Sequence, residues 1–563
     1  MAPTTDSDLR SAQQSTSETA SSPGDVKSLQ LSGIPSTENN VQACNTVNDE
    51  KLPYLHGARF WMVSILNGIM LFLVQTEISI VTTSLIAIAD DLGRLDISNW
   101  VLSSYLLGYV GVVVIVAKTS DITGRKPAFL ACIFFFTAFS GGCAAAQSMP
   151  QLIVLRGFQG LGGGGNYALS TIMIVDMVPP HKYGTQVAYT GIAIILATVL
   201  GPIIGGAIST HTSWRYIFIF NVPIGAVGLV LAWAGIPDRF PRQHQSTRSP
   251  KLSEMMSRID FAGSGLLVLA TTSFTAAFQE AGSQFSWGSA YVITLLVASV
   301  ILWLLLLLWE RRVTLGMKSR EPVFPWRFIQ SRKLAGILIG VVLVGGCLTV
   351  PTLQLPQRFQ LINGLSPLDA GVRLIPFGAA LSLGTIVSVQ TASKLRIPAI
   401  FILMAGALLQ VVGFALLGTL NPSAKLPPLV YVYQVIAGLG CGICVQMLFL
   451  AIPFTAEKRD HAVGLGLVTQ TRAMGSAVFL AIVTAVFNGY IMYQLAQLGV
   501  AGFNSITGLR SSSTQTLEPT LQDAVRRILS EGYNRQMLVL SASGAAQFLA
   551  AFLLWQEKQI RVA

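Results

Sequence analysis

Few charged residues interrupt the long apolar stretches of this 563-residue chain, and those few define the chemistry open to it. Glu77 is the one carboxylate well inside such a stretch. Arg156, Arg373 and Arg472 are the bases similarly placed, while Asp176 and Glu280 stand near the ends of theirs. A charge in hydrocarbon is costly, so each is a candidate functional group. Counting from Arg59 at ~1.5 Å per residue, Glu77 lies on the order of 20 Å into a ~30 Å layer. Arg156 is about five residues into a stretch entered from the opposite side, which sets it at a similar height. A carboxylate in low dielectric holds a proton more readily, and a neighbouring guanidinium reverses that preference. The pair therefore suits a proton site switched by conformation. A static structural ion pair is the plainer alternative.

Other chemistries find no residues to perform them. His56, His181, His211, His244 and His461 fall in loops or at the ends of apolar stretches without metal-ligand spacing, and no nucleophile motif occurs. Neither a metal nor a cofactor is expected. Cys441 and Cys444 form a Cys-x-x-Cys, but within GLGCGICVQ, where small residues serve close helix packing. The net charge of +11 raises the question of nucleic acid. The basic residues sit in short loops between apolar segments, which argues against a phosphate-binding face.

The elements that must position these groups follow from composition. Charged residues make up 11% of the chain and hydrophobic ones 52%, with a mean hydropathy of +0.60. A soluble domain carries about 25% charged residues, so most of this surface must face lipid. The fold class expected is an all-α integral membrane protein, with about 14 spans of ~20 residues each between residues 60 and 556. Residues 1–58 read as a disordered cytoplasmic tail. A first six-helix half occupies 59–236 and a second 333–563. Between them, 237–332 holds basic cytoplasmic linkers around two further helices. Lys and Arg favour the loops on the side of the N-terminus, which puts both termini in the cytoplasm. Residues 488–535 read as one long external loop. Leu521, Val525, Ile528 and Leu529 recur within it at helical spacing, as in an amphipathic helix lying on the outer surface.

The loop KTSDITGRK, Lys118 to Lys126, looks by itself like a solvated charge cluster in which Asp121 and Arg125 lie one helical turn apart. Yet SDITGRK, with Asp121, Gly124, Arg125 and Lys126, resembles motif A of the major facilitator superfamily. LRGFQGLGGGG, from Leu155 to Gly165, resembles motif B, with Arg156, Gln159 and Gly160 in register. GPIIGG, with Gly201, Pro202, Gly205 and Gly206, resembles the end of the antiporter motif C, although Ala197 stands where that motif has Gly. WRYIFIFNVPIG, from Trp214, and IDFAG, from Ile259, resemble the 14-span drug:proton antiporter branch. Glu77, in QTEISIV, replaces the Asp usual in the first span of that branch. TEISIV, WVLSSYLL and FSGGCAAAQ look closest to fungal pumps that accompany toxin and secondary-metabolite pathways. SVQTASKLRIP, from Ser388, is a faint second copy of motif A that lacks its Asp.

The resemblance implies alternating access in a monomer embedded in the lipid bilayer. It implies export of a small amphiphilic organic substrate in exchange for protons, and no nucleic-acid partner. Glu77 and Arg156 would couple the two fluxes, Asp121 and Arg125 would close a cytoplasmic gate, and Gln159, Asp176, Arg373 and Arg472 are secondary candidates. The expected location is the plasma membrane, with a vacuolar or vesicle membrane as the alternative. An importer of a nutrient or siderophore on the same fold, or a non-transporting receptor or scaffold, are the competing readings. GPIIGG speaks against the first, and a buried Glu77 against the second.

Overall fold

The computed structural model describes residues 54–93, 97–98, 100–179, 182–238, 240, 259–281, 285–316, 322–422, 426–457, 460–497 and 519–556. The expected N-terminal tail, most of the first linker, and the middle of the expected external loop therefore lie outside the described residues. The described chain is helical, with no β-strand among the described residues. Its long helices are α1 Ala58–Leu92, α2 Trp100–Thr123, α3 Arg125–Ala145, α4 Met149–Asp176, α5 Tyr183–His211 and α6 Asn221–Gly235. There follow α7 Phe261–Glu280, α8 Ala290–Gly316, α9 Arg332–Asn363, α10 Ile375–Lys394, α11 Ala399–Leu417, α12 Leu429–Thr455, α13 His461–Gln497 and α14 Pro519–Ala551.

Local chemistry sets several of these limits. Asp260 and Ser331 cap α7 and α9 by accepting from the backbone N–H groups of Gly263 and Leu334. Gly124, at φ 99, makes the break between α2 and α3 in a conformation that a side chain would strain. Among the described residues, twelve stretches are long and apolar enough to cross a membrane. The 28-residue α4 and 29-residue α5 are not among those twelve. In α4 the reason is composition, since Arg156, Gln159, Asn166 and the run Gly162–Gly165 dilute its apolar content.

The helices pack as two sets with the same internal arrangement. In the first, α2 lies against α4, α1 against α5, and α6 against both α1 and α3. In the second, α10 lies against α12, α9 against α13, and α14 against both α9 and α11. The sets meet where α2 touches α13 and where α5 touches α10, each contact being the counterpart of the other. This is the geometry of parallel repeats about an axis along the bundle. Helices α7 and α8 pair with each other, and α7 covers α2 and α13. One face of α8 exposes Ile293, Val297, Val300, Leu304 and Leu308, as a lipid-facing edge requires.

One expectation is corrected by this arrangement. The amphipathic segment is no separate surface helix. It is the first part of α14, and Val525 and Leu529 bury against Phe487 and Ile491 of α13, which itself runs on to Gln497. Arg358 lies in α9 and is buried. Glu310 lies within α8, is fully buried, and accepts the backbone N–H groups of Val323 and Phe324.

Small residues allow the tightest helix pairs. A Cβ at Gly160 or Gly164 of α4 would collide with the backbone carbonyl of Tyr105 or Tyr109 in α2. The counterpart glycines of α12, Gly438 and Gly442, meet the carbonyls of Phe377 and Leu381 in α10 in the same way. A Cβ at Gly206, in contrast, meets nothing within 4 Å, so of the GPIIGG glycines it is not one that closes a helix seam. Gly160→Val should therefore abolish accumulation of folded protein, whereas Gly206→Ala should leave the monodisperse yield unchanged in size-exclusion chromatography. Equal yields for both would remove the seam as a packing constraint.

Candidate functional site

The bundle encloses a central cavity of about 370 Å³. Its walls come from both sets of helices and from α7. Apolar surface is supplied by residues such as Leu106, Val110, Phe377 and Leu381, and polar groups by Gln75, Gln279, Gln446 and Thr349. The lining includes Val175, Tyr183 and Pro453, at or near helix termini on the end of the bundle that carries Asp176. Such a mixture of apolar walls and a few polar groups suits a compact organic molecule with one or two hydrogen-bonding groups.

Glu77 lies off this wall. Its neighbours Gln75 and Ile78 line the cavity, but Glu77 turns to the other side of α1, toward α4 and α6. There Arg156 donates to one carboxylate oxygen, Gln159 Nε2 donates to the same oxygen at 3.1 Å, and Asn221 Nδ2 donates to the other at 2.6 Å. Arg156 also donates to the Val101 carbonyl at 3.1 Å and to Gln159 Oε1 at 2.8 Å, and Gln159 donates to Ser140 Oγ at 2.7 Å. The side chains of Arg156 and Glu77 are 0% and 1% exposed. Both charges are thus neutralised and hydrogen-bonded away from water, the condition under which a buried pair is tolerated.

A row of three tyrosines joins this cluster to the cavity. The Arg156 guanidinium lies 4.4 Å from the ring centre of Tyr105, which stacks on Tyr109 at 6.4 Å. Tyr109 meets Tyr167 edge to face at 6.0 Å, and the Arg472 guanidinium lies 5.6 Å from the Tyr167 ring centre. Tyr109, Tyr167 and Arg472 face the cavity.

A third group of charges sits at the end of the bundle that carries Asp176. Arg125 at the start of α3 pairs with Asp121 of α2 and with Asp176 of α4, each at 2.8 Å, and donates to Ser120 Oγ. Asp176 is therefore part of this three-helix clamp. Lys126 pairs at 2.6 Å with Asp238, whose side chain is 86% exposed. The Lys126 ammonium, through this hydrogen bond, holds the Asp238 carboxyl below the usual carboxylate range. In the second set Arg327 pairs with Asp460 and Glu457, which flank the start of α13.

The remaining candidates are dispersed. Gly201 packs against Ser79 and Thr76 of α1, and the Gly205 carbonyl accepts from Ser84 Oγ at 3.3 Å, so this stretch of α5 seals onto α1. Pro202 lies between them in α5, where it supplies no backbone N–H. Arg373 follows the short helix Pro367–Val372 and donates to the Tyr431 hydroxyl at 2.8 Å, away from the cavity lining. Glu280 accepts from Ser103 Oγ at 2.9 Å. Sequence reasoning overlooked Asn221, Ser140 and the tyrosine row. Asn221 and Tyr105 stand inside the quoted stretches WRYIFIFNVPIG and WVLSSYLL, but nothing in their spacing distinguishes them from helix packing. No cluster of His, Cys, Asp or Glu among the described residues is arranged to hold a metal.

Two like-packed sets of membrane helices around a central cavity make the architecture of a solute transporter. Residues 68–480 match the Major Facilitator Superfamily, and the chain belongs to it. It is 35% identical over 525 residues to "MFS-type transporter FPY5" of Fusarium mangiferae, covering 93% of this chain and 88% of that one. It is 30% identical over 500 residues to "Efflux pump dotC" of Dothistroma septosporum, covering 86% and 81%. A bacterial homolog of the human lysosomal transporter Spinster, solved inward-facing and unoccupied, shares the fold with a TM-score of 0.56 at 15% identity. That match covers 90% of this chain and 100% of the solved one.

The clamp makes an ordered prediction. Arg125→Gln strands two partly buried carboxylates and should cost roughly 3–5 kcal/mol, in the range found for breaking buried pairs. Lys126→Gln gives up only an exposed partner and should shift the melting temperature far less. Thermal unfolding of the two purified variants checks the order, and equal shifts would reduce Arg125 to a surface residue.

Proposed function

We propose that this protein exports a small amphiphilic organic compound, such as a drug, toxin or secondary metabolite, in exchange for protons. The observation that carries the reading is an amphipathic cavity with a buried carboxylate–guanidinium pair just off its wall. Relatives named efflux pumps, dotC among them, support the direction. Proton coupling rests on Glu77, the carboxylate whose partners Arg156, Gln159 and Asn221 come from two helices that must move with α1 or against it. In the state described, the carboxylate is paired with the Arg156 guanidinium. An alternative state that draws Arg156 away leaves a buried carboxylate that must take up a proton, since an unpaired charge there is costly. Alternating access then links proton binding to the side on which the cavity opens.

In the same reading, the Asp121–Arg125–Asp176 clamp fixes the cytoplasmic end of α2 against α3 and α4, and so sets how α2 meets α13 to close that side. Gly124 and Lys126 complete this gate. Gly201 and Gly205 seal α5 to α1, with Pro202 between them in the helix and Gly206 outside the seam. The chain works as a monomer, with both termini in the cytoplasm and the plasma membrane as its site, crossing the bilayer fourteen times with α4 and α5 among the spans.

Export from proteoliposomes under an imposed pH gradient, with a panel of aromatic amphiphiles as cargo, tests the coupling. Glu77→Gln strands the Arg156 guanidinium and should lower the folded yield, and the protein recovered should lose gradient-driven export. Arg156→Gln alone should fail to accumulate, because it strands a buried carboxylate. The double variant Glu77→Gln with Arg156→Gln should regain expression yet move substrate only down its own gradient. Normal pH-driven accumulation by the double variant would move the coupling site elsewhere, with Glu280 the next carboxylate to examine.

A further inference from the structure

A guanidinium in the middle of a helical bundle requires a counter-charge, and most of those in this protein have one or a full set of acceptors. Arg156 has Glu77, and Arg125 has Asp121 and Asp176. Arg358 is satisfied without a carboxylate, donating to Asn534 Oδ1 at 2.6 Å, Ser530 Oγ at 3.1 Å and the Leu420 carbonyl at 3.3 Å. Arg472 differs from all three. Among the described residues it pairs with no carboxylate, and its polar neighbours are the phenols of Tyr167 and Tyr109. It is also the only charged side chain among the described residues that line the central cavity. On the α7 part of the same wall, the Thr275 hydroxyl is buried without a hydrogen-bond partner.

We propose that the compound carried is an amphiphilic organic anion, whose carboxylate or comparable acidic oxygen pairs with the guanidinium of Arg472. This deepens the exporter reading and rests on it for the direction of transport. A planar guanidinium offers two parallel N–H donors to a carboxylate, a geometry an ammonium lacks. Tyr167 orients that fork by stacking, while Leu106, Val110, Phe377 and Leu381 receive the apolar body of the ligand. Thr275 donates to a second oxygen. A neutral cargo leaves the cation at the cavity wall without a counter-charge, and a cationic one is repelled. The anion therefore supplies the missing counter-charge, which makes occupancy itself favour closure of the cavity around it.

The probes are 1-pyrenebutyrate and its primary amide, matched in size and apolar surface and differing in charge. Binding to the purified full-length protein in lipid nanodiscs is read by pyrene fluorescence at neutral pH. The carboxylate should bind at least about tenfold more tightly than the amide, the scale of a charge-assisted hydrogen bond. Arg472→Gln should abolish this preference while leaving amide affinity in place. Arg373→Gln, remote from the lining, should preserve it and so exclude a diffuse effect of net positive charge. Should Arg472→Gln fail to accumulate, Arg472→Lys decides, because loss of the fork should cut the preference severalfold. Equal affinities in the wild-type protein, or a preference that survives Arg472→Gln, overturns the proposal. Flux of both probes under a pH gradient separates the two readings. Gradient-driven movement without carboxylate preference sinks the anion assignment alone. Carboxylate preference without gradient-driven flux of either probe sinks the proton-coupled exporter and leaves the anion site standing.

Discussion

A guanidinium sealed completely among apolar helices has to be answered in place, and the first helical set is arranged around that demand. Arg156 sits in α4, takes its counter-charge from α1, a carbonyl from α2 and a bridging amide from its own helix, while Glu77 draws a second amide from α6. Four helices are thereby tied at one height by groups that cannot be left unpaired in hydrocarbon. Gln159 contributes at both ends, donating to Glu77 and Ser140 and accepting from Arg156 and, at 3.7 Å, from Cys143 Sγ, which uses the full hydrogen-bonding capacity of an amide.

The same region carries the closest backbone approach in that set. Glycines on α4 bring the chain against α2 carbonyls, and the glycines of α12 repeat the arrangement against α10. Van der Waals contact between backbones replaces a hydrophobic driving force that lipid surroundings cannot supply. Seams of this kind make each helical set stiff within itself. The contacts between sets, α2 with α13 and α5 with α10, are fewer and are the ones that rigid-body motion would exchange.

Cavity and ion pair are adjacent yet distinct. Glu77 faces away from the lining, whereas the positive charge that meets the cavity belongs to Arg472, in the other half of the chain. Tyr105, Tyr109 and Tyr167 span the gap between the two guanidinium groups. In the exporter proposed above, cargo and proton therefore need not share a binding group, as they would if Glu77 lined the cavity.

The sequence by itself determined the membrane class, the helical fold, the approximate limits of the apolar segments and the few charges worth attention, because hydrocarbon penalises every polar group and so leaves only functional or paired ones. Its resemblance to motif A named Asp121, Arg125 and Lys126, and depth counting brought Glu77 and Arg156 to one height. Tertiary structure decided the rest. Which face of α1 carries Glu77, that Asp176 belongs to the clamp, and that Arg472 is the charge meeting the cavity depend on helix rotation and on neighbours far away in the chain. An apolar helix in lipid has little periodicity to reveal its facing, since lipid and protein interior are equally apolar. The amphipathic run at the start of α14 was legible as a helix for the opposite reason, its period being plain. Only packing against α13 revealed that it continues into the last span.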